Sequence, residues 1–380
     1  MERKILICGG GTAGHVYPAA AIMEYIKNYY PDSRLLFVGT SRGIEGRYIT
    51  GMGIDFEAVK ACGLNLKYGF FKKILHLLKF LFLLVQGFIK SVKIIIRFKP
   101  DIILGMGGYV CGPVLMAAIL LKRDYAIHEQ NYIPGRLNNF FSRFAKYIFT
   151  SFEETEKFFN LKKGKIIFTG DPVREVIRNL RAKKPDYKKF GLSEGRFSVV
   201  AFGGSLGAEK INNTVIELCN YFRKNKEIQV LLICGTRFYN KLKSKMSYNT
   251  GDVKKDGLIF RVFPYIDEMD GIYRIADIVI SRAGANTVAE LIVSNIPAIL
   301  IPYPGAVNNH QYYNANFLAD SGKAFLILDK DLNANILTDK ITGLMKDHRK
   351  KYKEMKEMEI RVKKTNGAKI ISRILAGAEN

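Results

Sequence analysis

Acidic residues are scarce. Across 380 residues, 35 Asp and Glu stand against 59 Lys and Arg, which leaves a formal net charge of +24. That imbalance predicts an anionic partner without naming it, since nucleic acid, anionic lipid and a phosphorylated substrate all fit. Cysteine is sparse too. Cys8, Cys62, Cys111, Cys219 and Cys234 are odd in number, widely spaced and form no CxxC pair. This disfavours a zinc site and a disulfide framework, and reduced buried thiols are expected. The chain starts MERKILICGGG, where a run of five residues leads straight into glycines, which does not fit a signal peptide. A transmembrane helix needs ~20 apolar residues. The best candidate, Ile74 to Ile89, offers sixteen, with His76 and Lys79 inside it.

What is present is ample core material. Hydrophobic residues make up 48% of the chain, and its length suits two α/β domains better than one core. Short apolar runs alternate with helical patterns. Strands are expected near 4–8, 35–38, 101–104, 124–128, 146–150 and 166–168, then near 197–202, 229–234, 277–281, 297–301 and 324–328. Most are unbroken apolar runs, the pattern of parallel strands covered on both faces. The expected fold class is α/β, with two Rossmann-like domains. Both halves open alike. Lys4–Cys8 leads into Gly9-Gly10-Gly11-Thr12-Ala13-Gly14-His15, and Phe197–Phe202 into Gly203-Gly204-Ser205-Leu206-Gly207. Gly164, Gly170, Pro172 and Pro185 interrupt the pattern between them, so the first domain is expected to span 1–165 and the second 166–345. A basic helical segment, 346–380, is expected to pack back toward the first domain.

From Ala58 to Pro100 there are nine Lys or Arg and no acidic residue. Lys72, Lys73, His76, Lys79, Gln86, Lys90, Lys93 and Arg97 recur at gaps that place them on one narrow helical stripe, and the rest of the helix is apolar. A buried core helix is one reading, and Val92–Phe98 fits it. For the earlier part, an interfacial helix or loop on an anionic membrane fits better, because apolar area plus Lys/Arg attraction is what such binding needs. Phe71, Lys72, Lys73, Ile74, Leu75, Leu78 and Phe82 are the candidate membrane residues. Nucleic acid is disfavoured as a partner, since phosphate tracking needs Lys/Arg on polar surface.

A glycine turn between a strand and a helix lets backbone N–H groups approach an anion, and the helix dipole favours negative charge. Gly9–His15 and Gly203–Gly207 are such turns. Neither matches GxGxxG with an acidic residue ~20 positions on, so a dehydrogenase is not supported. A third loop, Gly105-Met106-Gly107-Gly108-Tyr109-Val110-Cys111-Gly112-Pro113, follows the strand at 101–104. His128-Glu129-Gln130-Asn131 follows the next. Ligands bind at this carboxyl edge in doubly wound folds. In the second half Ser281-Arg282-Ala283-Gly284-Ala285-Asn286-Thr287-Val288-Ala289-Glu290 opens another helix, with Glu290 placed to accept two ribose hydroxyls. Gly170-Asp171-Pro172-Val173-Arg174 lies at the domain junction, where Arg174 suits a diphosphate. Asp329-Lys330-Asp331 looks like a metal-binding DxD but reads better as a turn capping the next helix. No metal and no cofactor are expected.

Seven motifs, GGGTAGH, GMGGYVCGP, HEQN, GDPVR, GGSLGA, SRAGANTVAE and NHQYYNA, stand in the order in which they occur in the MurG family, and from Ile5 to about Ala315 the chain resembles that family. The resemblance implies a GT-B glycosyltransferase fold, two Rossmann-like domains facing across a cleft. It implies an inverting hexosyltransferase that moves N-acetylglucosamine from UDP-N-acetylglucosamine to the 4-hydroxyl of the muramyl sugar of lipid I. The first domain would take the acceptor and the membrane, the second the UDP-sugar. Carried over residue by residue, the donor site would comprise Thr12, Ala13, Gly14, Asn131, Arg174, Ser205, Ile266, Ala285 to Glu290 and Gln311. Gly11, Gly107, Gly108 and Tyr109 would approach the acceptor diphosphate. His15 is the first candidate for general base and Glu129 the second. The expected location is peripheral, on the cytoplasmic face of the cell membrane, with other cell-wall synthesis proteins as further partners. Ala13, Asp171 and Leu206 depart from the family's common glycine, asparagine and glutamine. Asp171 adds a charge near the diphosphate, so it should be paired or point away. Alternatives are a glycolipid glycosyltransferase of the same fold, a UDP-sugar 2-epimerase, which has no use for the basic apolar stretch, and a basic nucleic-acid-binding protein, which leaves the glycine rims unexplained.

Overall fold

The structure, a computed structural model, describes residues 2–40, 45–63, 70–161, 164–204, 207–245, 257–358, 360 and 365–378. The chain divides into two compact units, residues 1–174 with 364–380, and residues 175–363.

The first unit runs β1 (Lys4–Cys8), α1 (Ala13–Tyr29), β2 (Arg34–Gly39), α2 (Glu45–Gly51), β3 (Asp55–Ala58), α3 (Phe70–Phe98), β4 (Ile102–Gly105), α4 (Cys111–Leu120), β5 (Tyr125–Glu129), α5 (Arg136–Ser142), β6 (Tyr147–Thr150) and β7 (Lys165–Phe168). Its strands form one sheet in the order β3-β2-β1-β4-β5-β6-β7. Every pairing is parallel, with Leu6 opposite Leu36 on one side and Ile103 on the other. Successive side chains of a strand point to opposite faces. Accordingly Leu6, Cys8 and Val38 pack with α3, α4 and α5, while Ile5, Ile7 and Phe37 pack with α1, α2 and the C-terminal helix. Two buried faces explain why β1 reads as a continuous apolar run.

The second unit contains α6 (Glu175–Arg178), β8 (Phe197–Phe202), α7 (Glu209–Tyr221), β9 (Ile228–Ile233), α8 (Thr236–Lys245), β10 (Ile259–Phe263), α9 (Met269–Ile275), β11 (Ile278–Ser281), α10 (Ala285–Ser294), β12 (Ala298–Leu300), α11 (His310–Asp320), β13 (Ala324–Leu326) and α12 (Ala334–Glu357). Its sheet is also parallel, in the order β10-β9-β8-β11-β12-β13. The last helix, α13 (Gly367–Leu375), lies in the first unit.

Three expectations change. The division falls after Arg174 rather than at 165. The segment 346–380 is not one body: Tyr352 and Met355 of α12 join the second core, and Ile371 and Leu375 of α13 join the first. Two strands, β3 and β10, lie outside the apolar runs of the sequence. Both are edge strands with partly exposed side chains and charged residues such as Asp55, Glu57 and Arg261, so neither shows the expected pattern.

α3 changes character along its length. Ile94 and Ile95 are buried in the first core, and Gly87 lies so close to the chain that a Cβ would sit 2.5 Å from the Lys60 carbonyl. Toward its start the helix stands clear: Leu75 is 72% and Phe82 63% exposed, and Ile74, Leu78, Val85 and Ile89 are exposed with them. Lys72, Lys73 and Lys79 are exposed on the same segment. Lys90 and Arg97 instead pair with Glu57. The Phe71 side chain lies outside the described residues. Among the described residues no helix is long and apolar enough to cross a membrane.

Candidate active site

In each sheet the strand order reverses once, between β1 and β4 and between β8 and β11. Connections leave such a point in opposite directions, which opens a crevice at the carboxyl edge. The glycine loops sit on these crevices. The turns after β1 and β4 flank the first, and the turns after β8 and β11 flank the second.

The first crevice is built by close backbone approach. Gly107 and Gly108 have φ of 99° and 82°, and Gly11 has 82°, values that favour glycine. A Cβ on Gly108 would lie 2.3 Å from the Gly10 carbonyl, and one on Gly107 would lie 2.9 Å from Cε1 of His15. The imidazole of His15 therefore rests on the second loop. The ring of Tyr109 lies across Gly11, where a Cβ would meet it at 2.8 Å. The structure thus gathers Gly11, His15, Gly107, Gly108 and Tyr109 on one rim, with Thr12, Ala13 and Gly14 at the start of α1 beside them.

Two of these groups differ from expectation. The Gly11 N–H is directed to Glu45 Oε1 at 3.4 Å, so it is not offered to an anion. Gly107 is buried beneath His15. Gly108 and Tyr109 are the accessible part of that loop.

Glu129 also changes role. Its buried carboxylate accepts hydrogen bonds from Asn131 N (2.9 Å), Asn131 Nδ2 (3.2 Å), Gly135 N (2.9 Å) and Asn138 Nδ2 (2.8 Å). Burial raises its pKa against the lowering effect of these donors. Both oxygens hold the loop between β5 and α5 in shape, which argues against Glu129 as the base. Gln130, also buried, donates to the Met106 carbonyl at 2.7 Å and ties this loop to the one after β4.

His128 is fully buried, with Nε2 3.9 Å from Asp171. Burial drives its pKa down to about 3, the Gly170 carbonyl opposes that, and nearby His15 adds to it. Asp171 accepts a hydrogen bond from Ser151 Oγ at 3.2 Å, so the extra acid is paired, as its position demanded. Arg174 lies over the Tyr17 ring, 5.0 Å from its centroid, and Tyr48 meets Tyr17 edge-on at 5.3 Å. Neither tyrosine carries a sequence signal, because their pairing depends on α2 lying beside α1.

In the second unit, Gly284 caps α10 and Ala285 begins it. An α-helix leaves its first amides without partners inside the helix, which suits phosphate oxygens. Val288 is an exception among the expected contacts: its N–H bonds the Gly284 carbonyl at 3.0 Å, and its side chain is buried in the core. Ala285, Asn286, Thr287, Ala289 and Glu290 are partly exposed. Tyr273 donates to Glu290 Oε2 at 2.8 Å, which fixes one carboxylate oxygen. Gln311 Oε1 accepts from the Tyr303 N–H at 2.9 Å, leaving its amide nitrogen as a donor. Ile266 is half-buried in the loop between β10 and α9, on the same edge of the sheet. Arg282 pairs with Asp329 at 2.6 Å, so this aspartate braces an arginine beside the glycine turn. Ser205 and Leu206 lie outside the described residues. Among the described residues no three His, Cys, Asp or Glu are grouped to hold a metal ion.

Comparison with known proteins finds two family domains in the chain, the second of which runs on into α13. Residues 5–150 match the glycosyltransferase family 28 N-terminal domain, and residues 198–374 the family 28 C-terminal domain. A relative from Caldanaerobacter subterraneus subsp. tengcongensis, named as a UDP-N-acetylglucosamine–N-acetylmuramyl-(pentapeptide) pyrophosphoryl-undecaprenol N-acetylglucosamine transferase, is 41% identical over 90% of this chain and 91% of its own. A Thermoanaerobacter sp. (strain X514) relative of the same name is 38% identical over 98% of this chain and 99% of its own. The crystal structure of Acinetobacter baumannii MurG superimposes with a TM-score of 0.74 at 24% identity, covering 99% of this chain and 100% of that one. A putative UDP-N-acetylglucosamine 2-epimerase from Listeria monocytogenes reaches 0.70 at 12% identity, covering 100% and 97%. Fold alone therefore does not separate transferase from epimerase.

His128 generates a pH test. Its folded pKa of about 3 lies below the ordinary value of 6.5, so the unfolded chain binds the extra proton. Its contribution to stability is present above about pH 6.5 and declines as pH falls toward 3. Glu129, with its pKa raised, acts in the opposite sense at the acid end. Urea unfolding of wild type and His128→Asn should show a stability gap that narrows by a few kcal/mol between about pH 7 and pH 4. A gap independent of pH would mean that His128 is not held neutral.

Proposed function

Because the chain belongs to the MurG family, within glycosyltransferase family 28, we propose that it transfers N-acetylglucosamine from UDP-N-acetylglucosamine to the 4-hydroxyl of the muramyl sugar of lipid I, forming lipid II. The observation that carries this reading is the pair of glycine-lined crevices, one per unit, together with 38% identity over 98% of the chain to a transferase of that name.

In this reading the second unit holds the nucleotide sugar. The start of α10 receives phosphate, Glu290 accepts ribose hydroxyls, Ile266 lies against uracil, and the Gln311 amide donates to the sugar. The first unit holds the lipid diphosphate through Gly108 and Tyr109. The reaction is a single displacement with inversion. The acceptor 4-hydroxyl oxygen attacks C1, the C1–O bond to UDP breaks, and the hydroxyl proton passes to a base. His15 is the better base, because Glu129 is committed to four donors in the loop. UDP leaves as an anion, and the first backbone N–H groups of α10 stabilise it.

The protein works peripherally, on the anionic cytoplasmic face of the membrane, through the exposed start of α3. Burying a Leu or Phe side chain yields about 1.5–3 kcal/mol, and each Lys near an anionic surface about 1 kcal/mol. Several of each on one helical segment suffice for reversible binding without a spanning helix.

Radiolabel transfer from UDP-N-acetylglucosamine to lipid I in detergent tests the reaction. Lipid II should form; transfer to diacylglycerol and not to lipid I would sink the peptidoglycan reading. His15→Ala should lower kcat by about 10²–10⁴-fold with little change in donor KM. Equal loss in both would make His15 a donor-binding group. In flotation with anionic vesicles, Leu78→Glu with Phe82→Glu should cut binding more than about tenfold, whereas unchanged flotation would remove α3 as the contact.

A further inference from the structure

Glu45 has no part in the chemistry above, yet it is a fully buried carboxylate at the edge of the first crevice. It is the first residue of α2. Its Oε1 collects three donors, Thr40 N at 3.0 Å, Thr40 Oγ1 at 2.6 Å and Gly11 N at 3.4 Å. Its Oε2 is buried with no hydrogen-bond partner among the described residues. The backbone around it has no spare room: a Cβ on Gly10 would sit 2.4 Å from Oε1, and one on Gly39 2.7 Å from Cγ. Removing a carboxylate from water is unfavourable unless its oxygens are paired. The group is therefore better explained by what it holds than by any gain to the core.

We propose that Glu45 is the positioning residue of the first glycine loop. It fixes the Gly11 N–H from beneath, and through it the backbone on which the rest of the rim leans. The Gly10 carbonyl abuts Gly108, the Tyr109 ring covers Gly11, and His15 rests on Gly107. Releasing Gly11 would loosen the seat of the base and of the acceptor diphosphate together. Glu45 also explains why Gly11 gives no amide to that diphosphate, which leaves Gly108 and Tyr109 to meet it. The effect on turnover rests on the transferase reading above; the effect on the loop does not.

Two measurements separate these. Hydrogen–deuterium exchange without substrate reads the loop. Glu45→Ala should speed exchange of the 9–12 segment by about tenfold, the scale of one lost hydrogen bond to a charged acceptor. Glu45→Gln keeps a carbonyl acceptor for Gly11 and should restore most of the protection. Steady-state transfer reads the consequence: Glu45→Ala should raise acceptor KM and lower kcat, together by about tenfold or more, with donor KM unchanged. Unchanged exchange at 9–12 in Glu45→Ala would overturn the proposal. So would a loss of kcat alone with both KM values intact, the mark of a smaller folded fraction. If Glu45→Ala does not fold, Thr40→Val removes one of the three donors, and exchange at 9–12 should still rise measurably; no change would again overturn it. Absence of transfer by the wild type would defeat the transferase reading, while the exchange measurement would still decide the role of Glu45 in the loop.

Discussion

The approach of the backbone after β1 to the backbone after β4 constrains the whole first rim. The Gly10 carbonyl and Gly108 meet with no room for a Cβ between them. Parallel strands bring these turns together, because the strand order reverses between β1 and β4. Only glycine tolerates both the approach and the positive φ. With the turns in contact, His15 rests against Gly107 and Tyr109 lies over Gly11. The chemistry assigned to this rim follows from a packing requirement of the main chain.

Around that contact the polar groups divide into those spent on structure and those left for ligands. Glu129, Gln130, Asn138 and Glu45 are all buried, and all bond the loops that frame the crevice. His128 is kept neutral between them by burial. In the second unit, Tyr273 and Tyr303 engage one oxygen each of Glu290 and Gln311. Such restraint lowers the entropy lost when a ligand binds, which is how a preorganised site gains affinity. The basic residues of α3 divide in a similar way. On α3, Lys90 and Arg97 pair with Glu57, while the lysines near its start stand with exposed Leu and Phe.

Much of this is legible in the sequence. Strands buried on both faces announce themselves as apolar runs, and the glycine turns mark the carboxyl edge. Edge strands β3 and β10 do not, because charged and half-exposed residues break the pattern. Motif order identifies the family, yet it does not show which atoms are free. The Gly11 amide is taken by a carboxylate 34 positions away. The side chain and amide of Val288 are consumed by the core and the helix. The carboxylate in HEQN has the composition of a base, but four donors commit it to its own loop. The Gly11–Glu45 pairing is long-range and leaves no local mark, and the bonds of Val288 and Glu129 form only once their own helix and loop have folded. The C-terminal basic segment illustrates the same limit: α12 and α13 share one pattern, but their apolar residues belong to different cores.

The central claim is that the start of α10 in the second unit receives the nucleotide sugar. Hydrogen–deuterium exchange with and without UDP-N-acetylglucosamine addresses it directly. Slowed exchange across 282–290 is expected on donor binding. Protection confined to the glycine loops at 9–15 and 105–113, with none at 282–290, would contradict it.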